Sequence, residues 1–272
     1  MAGKDRERRL ARAHYERQQQ RRAEAHERAR RRHTWIAAAL VTVLVLGGVG
    51  YLGTAVGGDD ETGSSTTPAP SASPSPSPTA SAAAGCQYRP ADSGGVEKVG
   101  TPPTRPASRP YKAVLDTNRG TIRLALDTAS APCTVGSFRF LAGKDYFDDS
   151  PCHRLTTESI FVLQCGDPLG SGQGGPGYEF DEENLPKPGG VTYPKGTVAM
   201  ARTTQPGTNG SQFFLVHDDT TLPPDYTVFG QVTGGMNVLD DVAAAGTKDG
   251  GGDGPPKRDV VIRDVTVREQ KA

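Results

Sequence analysis

Apolar residues change their spacing along the chain, and each change marks a segment. Residues 1–33 are polar and basic, with few apolar side chains to bury. Residues 35–56 pass through 22 positions without a charged side chain. At about 1.5 Å per helical residue, that run spans roughly 33 Å, enough for the hydrocarbon core of a bilayer. Residues 57–109 lose all periodicity and include the run PAPSASPSPSPTASAAAG. Regular alternation then begins. Residues 111–117 and 121–127 read as strands flanking Asn118-Arg119-Gly120, a hairpin signal. After Ala131-Pro132, the residues Val135, Phe138 and Leu141 fall at helical spacing. Strands are predicted near 152–156, 160–165, 197–201, 212–216, 227–232 and 259–267, with a second short helix over 236–244. Many strands, two short helices and Gly-rich connections predict a mainly β protein built as a closed antiparallel barrel. It would occupy residues 110–269, a length sufficient for one core.

Charge changes this picture at the N-terminus. Residues 1–33 hold twelve Lys and Arg against five Asp and Glu, so +7, while the whole chain sums to zero and the remainder to −7. Arg30, Arg31 and Arg32 flank one end of the apolar run, and Asp59, Asp60 and Glu61 the other. The positive-inside rule predicts a cytoplasmic tail over 1–33 and a transmembrane helix over 34–56. The remainder would then lie outside the cell membrane. A cleaved secretory signal is the alternative; the long basic leader and long apolar run favour an uncleaved anchor. The tail fits a solvated segment drawn to anionic lipid better than a nucleic-acid arm, so no nucleic-acid partner is expected. Residues 57–109 read as a disordered linker whose use is reach. The sequence before Cys86 lacks the large aliphatic residue of a lipid-attachment site, so no lipidation is expected there.

The four cysteines are Cys86, Cys133, Cys152 and Cys165. An even number outside the cytoplasm favours disulfides, and three pairings are open. The fold is expected to join at least two of Cys133, Cys152 and Cys165, with Cys86 stapling the linker to the domain. No CxxC spacing exists, and only His153 and His217 fall in the domain, so neither a metal nor another cofactor is expected.

Candidate chemistry concentrates in two stretches. In the first, 196–214 (GTVAMARTTQPGTNGSQFF), two apolar runs enclose a polar loop. On a strand, Gln212 and Phe214 share a face, a floor for an amphipathic ligand. The second, 152–167 (CHRLTTESIFVLQCGD), carries Arg154, Phe161 and Gln164. Together with 180–184 (FDEEN) and 228–230 (VFG), these runs resemble the cyclophilins, the peptidyl-prolyl isomerase family. The resemblance covers roughly 109–268. It implies an eight-stranded antiparallel β-barrel capped by two α-helices. The preceding apolar run and the cysteines make the chain similar to the membrane-anchored bacterial forms.

What the resemblance implies is rotation about X–Pro bonds in extracytoplasmic proteins, with proline-containing peptides and unfolded proteins as partners. Such rotation faces a barrier of roughly 18–20 kcal/mol and needs neither nucleophile nor metal. Arg154 matches the arginine that donates to the proline nitrogen once that nitrogen pyramidalises, an interaction selective for the twisted state. Gln164 and Gln212 match the glutamines that orient it or bind substrate. Phe161, Val162, Phe214 and Leu222 match the proline pocket, with Phe213 assigned to the core. Ala201 and Arg202 match the edge whose backbone pairs with the substrate chain. A tethered proline-binding module with little turnover is the alternative, and Arg154 argues against it. A monomer is the default expectation.

The chain departs from the family pattern at five points. The loop between Arg154 and Phe161 is two residues longer, and the Met200–Gln212 loop one longer. Arg202 stands where Asn is frequent, so a bias toward acidic substrate flanks is expected. Thr221 and Tyr226 replace a frequent Trp and His, and weak cyclosporin binding follows from the first. The run 170–175 (GSGQGG) formally fits G-x-G-x-x-G, but Pro176 and Gly177 follow where a nucleotide site needs a helix. Asp181, Glu182 and Glu183 read as a solvated acidic face rather than a hydrolytic carboxylate pair.

Overall fold

The computed structural model describes residues 85–190 and 192–270. The expected tail, the 34–56 span and linker residues 57–84 lie outside the described residues. Among the described residues no helix is long and apolar enough to cross a membrane. In chain order the strands are β1 (Arg89–Pro90), β2 (Tyr111–Thr117), β3 (Gly120–Leu126), β4 (Ser150–Cys152), β5 (Arg154–Thr156) and β6 (Val162–Cys165). They continue with β7 (Tyr178–Glu179), β8 (Thr197–Met200), β9 (Phe213–Val216), β10 (Val228–Gly234), β11 (Asp253–Gly254) and β12 (Val260–Glu269). The helices are α1 (Pro132–Ala142) and α2 (Met236–Ala245).

β1 and β7 form a small ribbon; the other strands form one antiparallel sheet ordered β11-β5-β6-β9-β8-β10-β3-β2-β12-β4. Seven strands stand between β5 and β4 in that order. Laid flat at about 4.8 Å per step, the two would lie nearly 40 Å apart. Only His153 separates them in the chain, and two Cα steps cover less than about 8 Å. The sheet is therefore curled until its ends meet at His153. A disulfide between Cys152 and Cys165, with Cα atoms 4.0 Å apart, joins β4 directly to β6 across that seam. Ten strands stand in this sheet where eight were expected, for two reasons. β4 and β5 are one run broken at His153, and β11 is a two-residue addition at the edge.

Strand alternation divides the apolar residues into two clusters. Phe213 and Leu215 of β9, with Val198 and Met200 of β8, point inward into the main core. There Phe138 of α1 meets the rings of Phe147, Phe213 and Phe229 at 5.1, 5.6 and 5.4 Å. α1 buries Val135, Phe138 and Leu141 as its spacing predicts, and α2 buries Val238, Leu239 and Val242. The alternate residues Phe214, Val216 and Ala199 form a smaller cluster on the other face. Glu183 caps α1 from a distance, accepting from the Cys133 and Thr134 backbone N–H groups at 3.1 and 2.8 Å. Pro132 at the first turn donates nothing there, and the carboxylate complements the helix dipole.

The expected linker ends earlier than residue 109. Residues 85–109 pack on the domain as a strap. Cys86 is disulfide-bonded to Cys133, 47 residues away. Tyr88 stands edge-on to Tyr178 and Phe180 at 5.4 and 5.5 Å and donates to the Cys133 carbonyl at 2.9 Å. Val96 enters the main core. These anchors are too widely spaced among Pro and Gly to show a period, which is why the hydrophobic pattern missed them.

One carboxylate strains this fold. Burial, reinforced by Asp145, Asp264 and Asp149, raises the Asp148 pKa from 3.8 to about 7. The native state thus holds a proton that the unfolded chain releases near its ordinary value. Stability from this group is full below about pH 4 and falls as pH rises toward 7. Asp148→Asn is expected to raise Tm by a few degrees at pH 8 and to change it little at pH 4, checked by thermal melts across that range.

Candidate active site

Sheet register assembles the site. Arg154 of β5 pairs with Gln164 of β6, Gln164 with Phe214 of β9, and Phe214 with Ala199 of β8. These four residues therefore form one row across four adjacent strands. Their neighbours Leu155, Leu163, Phe213 and Leu215 point the opposite way into the core. The row runs from a cation through an amide to an aromatic ring.

The polar end is a continuous relay. Arg154 Nη1 donates to Gln164 Oε1 at 3.3 Å, and Gln164 Nε2 donates to Gln212 Oε1 at 2.8 Å. Gln212 Nε2 donates in turn to the carbonyls of Gly172 and Gly174 at 3.0 and 2.9 Å. Those carbonyls belong to the 170–175 run, which is a loop wound about the buried carboxylate of Asp167. Asp167 accepts from the backbone N–H groups of Leu169, Ser171, Gly172 and Gly174. At Gly174 a Cβ would overlap Asp167 Oδ1, so the glycine lets the loop close on its anchor. The three residues expected to be catalytic are thus brought together, and the Gly-rich run supports them instead of binding a nucleotide.

The apolar end is the smaller cluster. Val162, Ala199, Phe214 and Val216 form its base, and Ala201, Leu222 and Tyr226 pack against it. Phe214 and Tyr226 meet edge to face at 5.6 Å. Tyr193, which the sequence did not single out, lies beneath both, its ring 6.0 Å from Phe214 and 6.1 Å from Tyr226. Its phenol donates to the Pro223 carbonyl at 3.1 Å and accepts from the Tyr226 N–H at 3.0 Å, fixing the 223–226 turn as a wall of the slot. Phe161 stands apart from this cluster, edge-on to His217 at 5.9 Å.

Arg202 corrects an expectation. Its guanidinium is 11% exposed and lies 3.4 Å from Glu182 and 3.3 Å from Asp225. It also donates to the carbonyls of Asp225 and Thr203 at 2.7 and 3.0 Å. The charge is compensated within the protein and ties the 203–208 loop to the 223–226 turn, so it offers acidic substrate flanks no free cation. Of the three acidic residues at 181–183 only Asp181 lies on a solvated face, its side chain 69% exposed; Glu182 and Glu183 are turned to partners within the fold. Asp181 pairs with Arg89, Glu182 accepts from the Gly207 N–H, and Glu183 caps α1.

Beside the slot lies a cavity of about 330 Å³, bounded by Gln164, Ala201 and Gln212 on the site's side. Ala91 and Asp92 of the strap and Glu179 also line it.

Asp253 is the polar residue that sequence reasoning missed. It grips Arg154 from the side away from Gln164, with Oδ1 to Nε and Oδ2 to Nη2 both at 2.7 Å. The bond to Asp253 raises the Arg154 pKa, and the same bond lowers that of Asp253. His153, at the seam, has both ring nitrogens buried without a hydrogen-bond partner. Burial lowers its pKa, with Arg154 adding to the effect and Asp167 opposing it. Both disulfides fall within the expected groupings: Cys86 staples the strap to Cys133, and Cys152 meets Cys165. Among the described residues no group of three or more His, Cys, Asp or Glu could hold a metal.

Comparison with known proteins points to one family. Residues 112–267 match the family described as Cyclophilin type peptidyl-prolyl cis-trans isomerase/CLD. The probable peptidyl-prolyl cis-trans isomerase B of Mycobacterium leprae is 45% identical over 200 residues, covering 67% of this chain and 66% of the relative. Its namesake in Mycobacterium tuberculosis is 46% identical, covering 68% and 64%. The chain therefore spans slightly under two thirds of the length of these two relatives. The peptidyl-prolyl cis-trans isomerase B of Streptomyces anulatus is 41% identical over 173 residues, 57% of this chain and 95% of the relative. A crystal structure of a Cryptosporidium parvum cyclophilin type isomerase superposes with a TM-score of 0.51 at 25% identity, covering 60% of this chain and 99% of that one. A second crystal structure of that protein, in the presence of the dipeptide Ala-Pro, gives 0.50 at 26% identity, covering 58% and 99%. With its curled antiparallel sheet, its two helices and a family match over more than half its length, this chain belongs to the cyclophilin-type peptidyl-prolyl cis-trans isomerase family.

Proposed function

We propose that the chain accelerates cis–trans rotation of X–Pro bonds in polypeptides outside the cell membrane. The observation that carries this reading is the row Arg154–Gln164–Phe214 across three paired strands. A proline ring seated on Phe214 would put its amide nitrogen toward the guanidinium. The apolar slot holds the ring in either isomer. The guanidinium favours only the twisted amide, whose nitrogen has recovered its lone pair. That difference is what lowers the barrier, and each factor of ten in rate requires about 1.4 kcal/mol of it.

An anchor over 34–56 with a cytoplasmic N-terminus is supported by the charge asymmetry about that run. Both disulfides suit an oxidising compartment. A monomeric chain with weak cyclosporin binding completes the reading, the latter because Thr221 offers no indole.

The test is magnetisation-exchange NMR on an Ala-Pro peptide with the purified chain. No proton is transferred in this mechanism. The pKa shifts at Arg154, His153 and Asp253 keep the first charged, the second neutral and the third ionised near neutrality. The catalysed exchange rate is therefore expected to vary less than about twofold between pH 7 and 9. A bell-shaped profile in that window would contradict the reading. Binding without acceleration would favour a recognition module.

A further inference from the structure

β5 is bordered by β6 on one side and by β11 on the other, where Asp253 pairs with Thr156 and Gly254 with Leu155. This edge ribbon is built from two stretches of the chain, residues 154–161 and the Gly-rich run 249–254. They meet where Thr157 N–H donates to the Gly252 carbonyl at 2.8 Å. Gly252 lies so close to Glu158 that a Cβ there would come within 2.5 Å of its carboxyl carbon. The far side of the run is braced by the Thr247 hydroxyl on the Gly251 carbonyl and by Lys248 N–H on the Pro255 carbonyl at 2.9 Å. The construction delivers one functional group to the site, the carboxylate of Asp253.

We propose that Asp253 is the positioning residue for the Arg154 guanidinium during proline isomerisation, a role that rests on the isomerase reading above. A guanidinium has five N–H donors. Asp253 takes two of them along one edge, and Gln164 takes a third at the longer distance of 3.3 Å. Two donors remain for substrate. A bidentate carboxylate fixes the plane of the guanidinium as well as its distance, which one amide oxygen does not. The pair adds little to stability, because the Arg154 and Asp253 side chains are 38% and 56% exposed. Its effect falls on geometry, where a misplacement of about 1 Å can cost about a hundredfold in rate.

The experiment compares the full-length wild type with Asp253→Ala, the near-isosteric Asp253→Asn, Arg154→Ala and the double variant Asp253→Ala/Arg154→Ala. The expected result is a 10- to 100-fold fall in kcat for both Asp253 variants, with KM within about twofold. Their Tm should stay within about 4 °C of wild type. The double variant should be no slower than Arg154→Ala, because Asp253 acts only through that side chain. The wild type should also lose rate below the ordinary carboxylate range as Asp253 takes up a proton, and Asp253→Asn should not. Wild-type rates in Asp253→Asn, or a further fall in the double variant, would overturn the proposal while leaving the isomerase reading intact. A wild type that fails to accelerate exchange would overturn both.

Discussion

Arg154→Ala is expected to lower kcat/KM for a proline peptide by about 10²–10³-fold, the usual cost of removing one transition-state donor. The loss should fall on kcat. The apolar cluster of Val162, Ala201, Phe214, Leu222 and Tyr226 is untouched by the change and, on the proposed reading, should still hold the ring. Binding of a ground-state peptide, followed by chemical-shift titration, should weaken less than about threefold. Arg154→Lys should recover only a small part of the rate. An ammonium keeps the charge but cannot span the two oxygens of Asp253 and also reach Gln164. Equal rates for wild type and Arg154→Ala would remove the guanidinium from the chemistry and leave the row without a catalytic role.

The second large effect concerns the strap. Replacing Cys86 and Cys133 together by alanine is expected to destabilise the chain by about 4 kcal/mol on the loop-entropy account of a cross-link spanning 47 residues. For a domain of this size that is roughly 8–16 °C in Tm. The Cys152–Cys165 bond closes a separation of 13 residues and is expected to contribute about 3 kcal/mol on the same account. Removing it should therefore cost less in Tm and more in kcat, because it lies within two residues of Arg154 and next to Gln164. Urea melts and rate assays on both double variants separate the two effects. A larger stability loss at Cys152–Cys165, or none at Cys86–Cys133, would contradict the loop argument. An unchanged melt in the latter case would mean that residues 85–109 come away without disturbing the sheet.

Much of the fold follows from local pattern. The hairpin at 118–120, the spacing of Val135, Phe138 and Leu141, and the short apolar runs each report a periodicity fixed within a few neighbours. Gln212 and Phe214 were legible as a shared face for the same reason. What escaped was set by contacts distant in sequence. Asp253 is 99 positions from the guanidinium it grips and sits in a Gly-rich run that reads as a turn. Tyr193 carries no motif, and its place under the slot comes from the path of the 223–226 turn. Arg202 looked like a free charge because its partners, Glu182 and Asp225, lie 20 and 23 positions away on separate loops. The strap shows the same limit in an irregular segment: Cys86, Tyr88 and Val96 anchor it without any repeat to betray them.

The meeting of the two sheet ends at His153 makes tolerance to insertions and deletions unequal on the two sides of Arg154. On the C-terminal side, extra residues are absorbed as a loop that leans on its neighbour. On the N-terminal side there is no slack: one added residue would turn Arg154 toward the interior and Leu155 toward solvent, since side chains alternate along a strand. Length variation among descendants of this sequence should therefore accumulate after Thr156, while the spacing from Cys152 to Arg154 stays fixed.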